Sequence, residues 1–388
     1  MIRDAERLQS LLGRTRSWVR ERAIPNEDRV AEDDEVPAEL VQEMREQGFF
    51  GWSIPETYGG GGLTTEELVL GALEISKCSV AFRARVGTNT GIGSEGIVAD
   101  GTEAQKAHYL PRLASGEWTA CLAVTEPDAG SEASNVRTTA RRDGDHYVLD
   151  GSKCYITNAP IADVFTVTAR TEPGTKGTKG VSAFVVERGM TGLKTGAPYR
   201  KMGQAGSPVG EVHFESCIVP AANLIGGSEG QGFKTVMKTL NKQRIHLAAL
   251  STGPAMRMLE MAIAHCRERV QFGQPVANFQ LVQALIADCR TEIYAARSMI
   301  LETARKRDAG DDIALEASMC KYFATEMCGR VADRCVQMFG GAGYIAEQSS
   351  IERWYRDVRL FRLYEGTSQI HQLHIAKLTL AEAQAHTT

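Results

Sequence analysis

Apolar residues recur every three to four positions from residue 5 to about 115, interrupted by turn formers, which predicts helices broken by loops. The run LVQEMREQGFFGW carries helical spacing and stops near Gly48. Pro55 to Gly62 holds four glycines and predicts a turn cluster. TTEELVLGALEI restarts a helix, with Thr64 or Thr65 as cap and Glu67 placed to complete a capping box. Near residue 117 the pattern changes to short β-like runs: HYVLDGSKCYITNA, DVFTVTAR, KGVSAFVVER and GEVHFESCIVP, parted by DGD and PGTKGTKG. From Phe233 the helical period returns over about 233–272, 277–308, 312–340 and 367–382, as in an antiparallel bundle. The expected fold class is α+β: an N-terminal α-helical domain (1–116), a middle antiparallel β barrel or sandwich (117–228) and a C-terminal helical bundle (229–388).

Composition narrows the function classes. A chain of 388 residues, 43% hydrophobic and 24% charged, suits an ordinary globular protein with a large core. A net charge of −4 and the lack of basic runs give no electrostatic case for nucleic acid or a membrane surface. No apolar run approaches a bilayer span, and MIRDAERLQS lacks the apolar centre of a leader. Nine cysteines without a CxxC pair read as buried free thiols, and a reducing, cytoplasmic location is expected. No GxGxxG follows a strand and no GxxxxGK[ST] occurs, which disfavours a nicotinamide cofactor on a dinucleotide-binding sheet and a phosphate loop. His371 and His374 stand at i, i+3 without an accompanying Cys or Asp ligand; no metal is expected, and a surface or interface role fits them better. Arg305 to Asp308 reads as a solvated helix end.

One heptapeptide carries chemistry that packing does not require. In YEGTSQI, Tyr364 to Ile370, Glu365 stands among apolar and aromatic neighbours. Lost hydration raises a carboxyl pKa towards the range of a general base near neutral pH. Gly366 permits a backbone geometry other residues resist, and Thr367, Ser368 and Gln369 add polar groups. The plainer reading makes Thr367 or Ser368 the N-cap of a final helix. Both can hold together.

Four further segments stand in register with it: LAVTEPDAGSE (Leu122 to Glu132), KCYITN (Lys153 to Asn158), RVQFGQPVANFQ (Arg269 to Gln280) and QMFGGAGYIAE (Gln337 to Glu347). In this order and at these separations the chain resembles the acyl-CoA dehydrogenase family of flavoproteins, from about residue 5 to residue 380. The resemblance implies FAD as cofactor and an acyl-CoA substrate. Glu365 is the implied base, with Tyr364 and Gly366 beside the substrate. It places Leu122, Ala123, Val124 and Thr125 along the flavin edge, and Ser131 near pantetheine or phosphate. Tyr155, Ile156 and Thr157 lie over the ring, where the family usually has tryptophan for Tyr155. Arg269, Phe272 and Gln280 are expected at the pyrophosphate, and Gln337, Phe339, Gly340 and Gly341 at the adenosine of a neighbouring subunit's FAD. Thr367 and Gln369 are expected near the flavin or its phosphates.

The implied assembly is a homo-oligomer, a homotetramer by family habit, and the implied electron acceptor is an electron-transfer flavoprotein. Asn241 replaces a usual aspartate three residues before Arg244. Both are candidate CoA contacts, with a solvated helix arginine as the rival reading of Arg244. Gln243 stands where a subset of the family places its base, and it cannot act as one. Gln204 and Ala205 fall where an arginine is usual, in the loop Met202 to Pro208. A flavin oxidase or desulfinase of a CoA thioester, and a non-catalytic flavoprotein subunit or CoA-binding chaperone, are the alternatives.

Overall fold

The computed structural model describes residues 1–385. Seven short helices come first: α1 Ala5–Trp18, α2 Glu27–Asp33, α3 Ala38–Glu46, α4 Thr65–Ile75, α5 Val80–Gly87, α6 Glu95–Asp100 and α7 Glu103–Ser115. Thr64 caps α4 as the sequence predicts: its hydroxyl accepts from the Glu67 N–H at 3.3 Å, and the Glu67 carboxylate accepts from the Thr64 N–H at 2.9 Å. Gly48, after α3, takes a left-handed φ of 71°.

A seven-stranded sheet follows: β1 Ala120–Ala123, β2 Thr139–Asp143, β3 His146–Thr157, β4 Val164–Arg170, β5 Val181–Glu187, β6 Leu193–Thr195 and β7 Val209–Pro220. The order is β1-β4-β2-β3-β7-β6, with β5 also on β4. β3/β7, β2/β3, β4/β5 and β6/β7 are antiparallel. β1 and β2 each run parallel to β4, in the second case through the single pair Thr139↔Arg170, so the predicted antiparallel sheet carries a parallel seam.

The C-terminal part holds α8 Gly232–Glu268, a hairpin of β8 Val270–Gln271 and β9 Gln274–Pro275, then α9 Gln280–Ala309, α10 Ala314–Phe339, α11 Ile351–Val358 and α12 Ser368–Ala385. The hairpin and α11 were not apparent in the sequence. Phe272 and Gly273 form the hairpin's two-residue turn, both at positive φ (49° and 79°).

One core joins the first helices to the bundle. The rings of Trp18, Phe49 and Phe82 meet edge to face within it, and Leu247, Met258, Cys320 and Met327 pack into the same cluster. The sheet has a second core around Tyr147, Phe165, Phe184 and Phe214. α8 starts hard against β5: a Cβ on Gly232 would lie 2.2 Å from the Ser182 carbonyl carbon, so only glycine admits this approach. All nine cysteines are free and buried. Among the described residues no helix is long and apolar enough to cross a membrane.

Candidate active site

The sequence that singled out Glu365 builds a strained turn. Glu365 has φ 52° and Gly366 φ 93°. A left-handed non-glycine residue is uncommon, and it persists only where its surroundings enforce it. Here they do. Lys321 on α10, with no accessible surface, donates its ammonium to the Gly366 carbonyl at 2.6 Å. The fully buried His371 imidazole donates to the Glu365 carbonyl at 3.2 Å. Burial, with Lys321 and Arg244 nearby, lowers the His371 pKa to about 3 and keeps it neutral. A Cβ on Gly366 would meet the His371 ring at 2.9 Å. Thr367 accepts from the Ile370 N–H at 3.3 Å and caps α12, so the helix-start reading also holds.

For His371 this corrects the expected surface or interface role. His371 is a buried brace of the turn, and His374 bonds Ser318 at 2.9 Å. Among the described residues no three His, Cys, Asp or Glu side chains gather so as to hold a metal ion. The run Arg305 to Asp308 closes α9 with Arg305 exposed, as read, but it is more than a solvated end. Arg305 pairs with Glu66, and Asp308 accepts from the Thr65 and Glu66 N–H groups, so this segment ties α9 to α4.

The Glu365 carboxylate keeps one oxygen, Oε2, buried without a partner. Burial raises its pKa to about 7, and the charges of Arg83, Lys321 and Arg244 temper the rise. Two contiguous cavities meet at this carboxylate and share Thr125, Ser131, Tyr155, Thr157, Gln204, Tyr364 and Gly366. One, of about 530 Å³, is lined by Phe233, Val236, Met237, Leu240, Leu247 and Leu250 of α8, facing Leu122, Val124 and Ile156 of the sheet region. The other, of about 710 Å³, runs between the sheet and the α11–α12 connection, past Tyr199, Lys201, Arg356, Arg359, Leu363 and Thr367. Arg359 Nη1 is buried there without an acceptor, so this cavity suits a phosphate-bearing cofactor.

The sheet side is fixed by a buried ion pair. Lys153, with no accessible surface, donates to Glu126 at 2.7 Å, to Thr168 at 3.3 Å and to the Val124 carbonyl at 3.3 Å. Glu126 also accepts from the N–H groups of Arg137 and Thr138. The Cys154 N–H then donates to the Thr125 carbonyl at 2.9 Å, which sets the expected flavin-edge loop against KCYITN. Between Lys153 and Ile156 the β3/β7 register shifts. Tyr155, at φ 58°, turns its ring outward, 70% exposed and 5.7 Å from the Tyr199 ring.

Arg244 is buried, which overturns its reading as a solvated helix residue. It donates to Asn241 at 2.9 Å and lines the apolar cavity, while Asn241 itself borders a separate surface recess. In the loop Met202 to Pro208, Gln204 is buried at φ 58°. Its N–H bonds the Asp357 carboxylate, and its side-chain amide donates to the Asp357 carbonyl at 3.0 Å.

Not every candidate gathers here. The side chain of Ala123 points into the sheet core, and Gln369 is exposed on α12. Arg269, Phe272, Gln280, Gln337, Phe339, Gly340 and Gly341 lie together at the other end of the bundle. There Phe339 stacks on His265 at 4.3 Å and Phe272 is 94% exposed. Arg83, Lys321, Arg356 and Arg359 were missed. Each is a basic residue within a helical run, most with other arginines close by, and no local pattern tells such a residue from a solvated one.

Profiles of the acyl-CoA dehydrogenase N-terminal, middle and C-terminal domains match residues 5–117, 121–217 and 230–380. The chain is 40% identical to the 3-(aryl)acrylate reductase of Clostridium sporogenes, covering 93% of this chain and 95% of that protein. It is 37% identical to the caffeyl-CoA reductase-Etf complex subunit CarC of Acetobacterium woodii, over 91% and 92%. Butyryl-CoA dehydrogenase from Megasphaera elsdenii has the same fold with a TM-score of 0.93, 32% identity and coverage of 98% and 100%. The solved structure of PigA with FAD and proline matches at a TM-score of 0.92 and 27% identity, over 98% and 99%. Three domain matches in register, on a fold whose cavities meet at the Glu365 carboxylate, make this chain a member of the acyl-CoA dehydrogenase family, an FAD-dependent oxidoreductase.

Proposed function

We propose that this protein removes hydrogen from the α and β carbons of an acyl-CoA thioester, giving the trans-2-enoyl-CoA, with Glu365 as the base for the α-proton. The reading is supported above all by the Glu365 Oε2 atom, buried and unpartnered where the two cavities meet. FAD, when bound, supplies the acceptor for the β-hydride. The α8 side of the apolar cavity would hold the acyl chain. The Glu365 N–H donates to no protein acceptor among the described residues and is free to polarise the thioester carbonyl. Thr125, Ser131, Tyr155, Thr157, Thr367 and the Arg359 guanidinium line the space in which the cofactor fits.

The exposed set around Phe272 cannot serve the same site within one chain. From Arg244 to Arg269 α8 climbs 25 residues, roughly 37 Å at about 1.5 Å per residue. A second copy is needed to bring these groups to a cofactor, which favours a homo-oligomer. An electron-transfer flavoprotein is the proposed electron acceptor, in keeping with the Etf complex to which CarC belongs. The reductase names among the relatives favour a second reading, the reverse reaction. Glu365 would then return a proton to the α-carbon, and the redox partner would set the direction.

Anaerobic mixing of the yellow holoenzyme with acyl-CoA tests the assignment. Glu365→Gln keeps the shape and removes the base, so flavin bleaching should slow by about 10²–10⁴-fold with FAD retained. Bleaching at the wild-type rate would remove Glu365 from the chemistry. Rapid reoxidation of the reduced protein by air would favour the oxidase alternative.

A further inference from the structure

The apolar cavity contains a cation that a purely hydrocarbon substrate would leave unmatched. Arg83 projects from α5, is 9% accessible and lines this cavity with Glu365. One arm of its guanidinium bonds the Tyr364 hydroxyl, and its charge lies 5.8 Å from the centroids of the Phe361 and Tyr364 rings. Its Nε is buried without an acceptor, and among the described residues no carboxylate forms an ion pair with it. Burying a charge costs several kcal/mol unless a partner offsets it.

Elsewhere this chain supplies such partners: Lys153 has Glu126, Arg356 has Glu352 and Arg362 has Glu326. Around Glu365 three cations, Arg83, Lys321 and Arg244, surround one carboxylate. Arg83 and Arg244 each keep a buried Nε without an acceptor. Yet Lys321 is bonded to the Gly366 carbonyl and Arg244 to the Asn241 amide oxygen, whereas the hydrogen bond of Arg83 goes to the Tyr364 hydroxyl, so Arg83 is the cation of the three with no carbonyl or carboxylate partner.

A second donor is unmatched in the same wall. Gln243 on α8 lines the cavity, and its Nε2 is buried with no partner. Its Oε1 is held 3.2 Å from the His246 ring, whose pKa is pushed down to about 3 by burial and then by the Arg83 and Lys242 charges, so the ring is neutral. A Cβ on Gly91 would come 2.5 Å from that Oε1, so the chain keeps a glycine where the amide sits. Arg83 and Gln243 thus bring side chains with orphaned donors from two helices to the wall of a cavity whose neighbouring lining includes the apolar Ile92, Val236, Leu247 and Leu250.

We infer that Arg83 and Gln243 form an anion subsite, and that the acyl group of the substrate ends in a carboxylate a few carbons from the thioester. This rests on the acyl thioester reading above and narrows it. Arg83 is bonded to Tyr364, the residue before Glu365, so a short dicarboxylic acyl group fits. A planar carboxylate takes two hydrogen bonds from a guanidinium, and leaving both donors unpaired disfavours a neutral chain of equal length.

The test compares succinyl-, glutaryl- and adipyl-CoA with butyryl-CoA and the methyl ester of glutaryl-CoA on the holoenzyme. Anaerobic flavin bleaching and calorimetric binding are both recorded. At least one carboxylated thioester should exceed its neutral counterpart by tenfold or more in binding and in bleaching. Arg83→Met should reduce that ratio by about 10²-fold, and Arg83→Lys should restore part of it. A wild-type preference for butyryl-CoA or the ester overturns the inference, as does an equal ratio in wild type and Arg83→Met. If no thioester bleaches the flavin, the dehydrogenase reading fails, and the binding ratio still decides the subsite. Should the Met variant not fold, the wild-type ratio and the Lys variant decide.

Discussion

Two carboxylates with buried oxygens, Glu126 and Glu365, stand in opposite conditions, and the contrast separates scaffold from chemistry. Glu126 accepts from Lys153, Arg137 and Thr138 at 2.7, 2.7 and 3.0 Å. Burial alone would push its pKa up, yet Lys153 and these hydrogen bonds outweigh that and leave it lowered. Glu365 has no hydrogen-bonded cation, keeps Oε2 free and is raised to about 7. A matched acid locks a loop in place. An unmatched one is ready to take a proton.

The largest effect should come from breaking the matched pair. Lys153→Met leaves Glu126 buried without its cation and should destabilise the protein by about 3–5 kcal/mol in chemical denaturation. The loop carrying Val124 and Thr125 should loosen with it, so the variant should also release FAD more readily. Replacing both partners with apolar residues of similar volume should recover much of the stability. A loss below about 1 kcal/mol for the single change would mean that the pair does not brace the loop.

How far this contrast was legible beforehand depends on distance along the chain. Glu365 and Gly366 were readable because the evidence is local: an acid beside a glycine in an apolar run describes its own turn. The long helices and the strands β3, β4, β5 and β7 were readable from period. The Lys153–Glu126 pair was not, since its partners are 27 residues apart and meet only when β3 folds over the loop after β1. Arg83 was hidden for a different reason. VAFRARVG holds Arg83 and Arg85 two positions apart, where helical geometry turns them to different faces, and nothing in the run says which face lines a cavity. The His371 misreading has the same root, because a polar residue on an amphipathic helix is assigned to solvent unless a specific buried acceptor is known. α11, at eight residues, was too short to stand out between the glycine turn and the site.

pH sharpens the comparison next. The proposed base, Glu365, would act when ionised, so bleaching by acyl-CoA should rise with pH, about tenfold per unit below the midpoint, and level off above about 7. Stability should respond with opposite signs. The folded-state pKa of Glu365 lies above its ordinary 4.5, so the folded protein holds an extra proton between about 4.5 and 7, and its contribution falls as pH rises through that window. Glu126 is lowered; its contribution is present above the ordinary value and is lost as pH falls through the lowered one. Glu365→Gln should flatten the first dependence and leave the second. Unfolding curves for both proteins across this range check the pair of signs, and a bleaching rate unchanged between pH 5 and 8 would contradict the poised carboxyl.

The smallest expected effect tests whether Glu365 owes its tuning to one neighbour. Arg244 lowers the Glu365 pKa through its charge, and its guanidinium is aimed by the 2.9 Å bond to Asn241. Asn241→Ala removes that bond and leaves a 3.4 Å contact with Ser318, so acyl-CoA binding should weaken by about 1 kcal/mol, near fivefold. Asn241→Asp should act elsewhere. A carboxylate at that position would pair with Arg244 and offset its charge at Glu365, moving the midpoint of the bleaching rate upward with little change in binding. A midpoint that moves in neither variant would assign the tuning to Arg83 and Lys321, and Arg244 would then serve the substrate rather than the base.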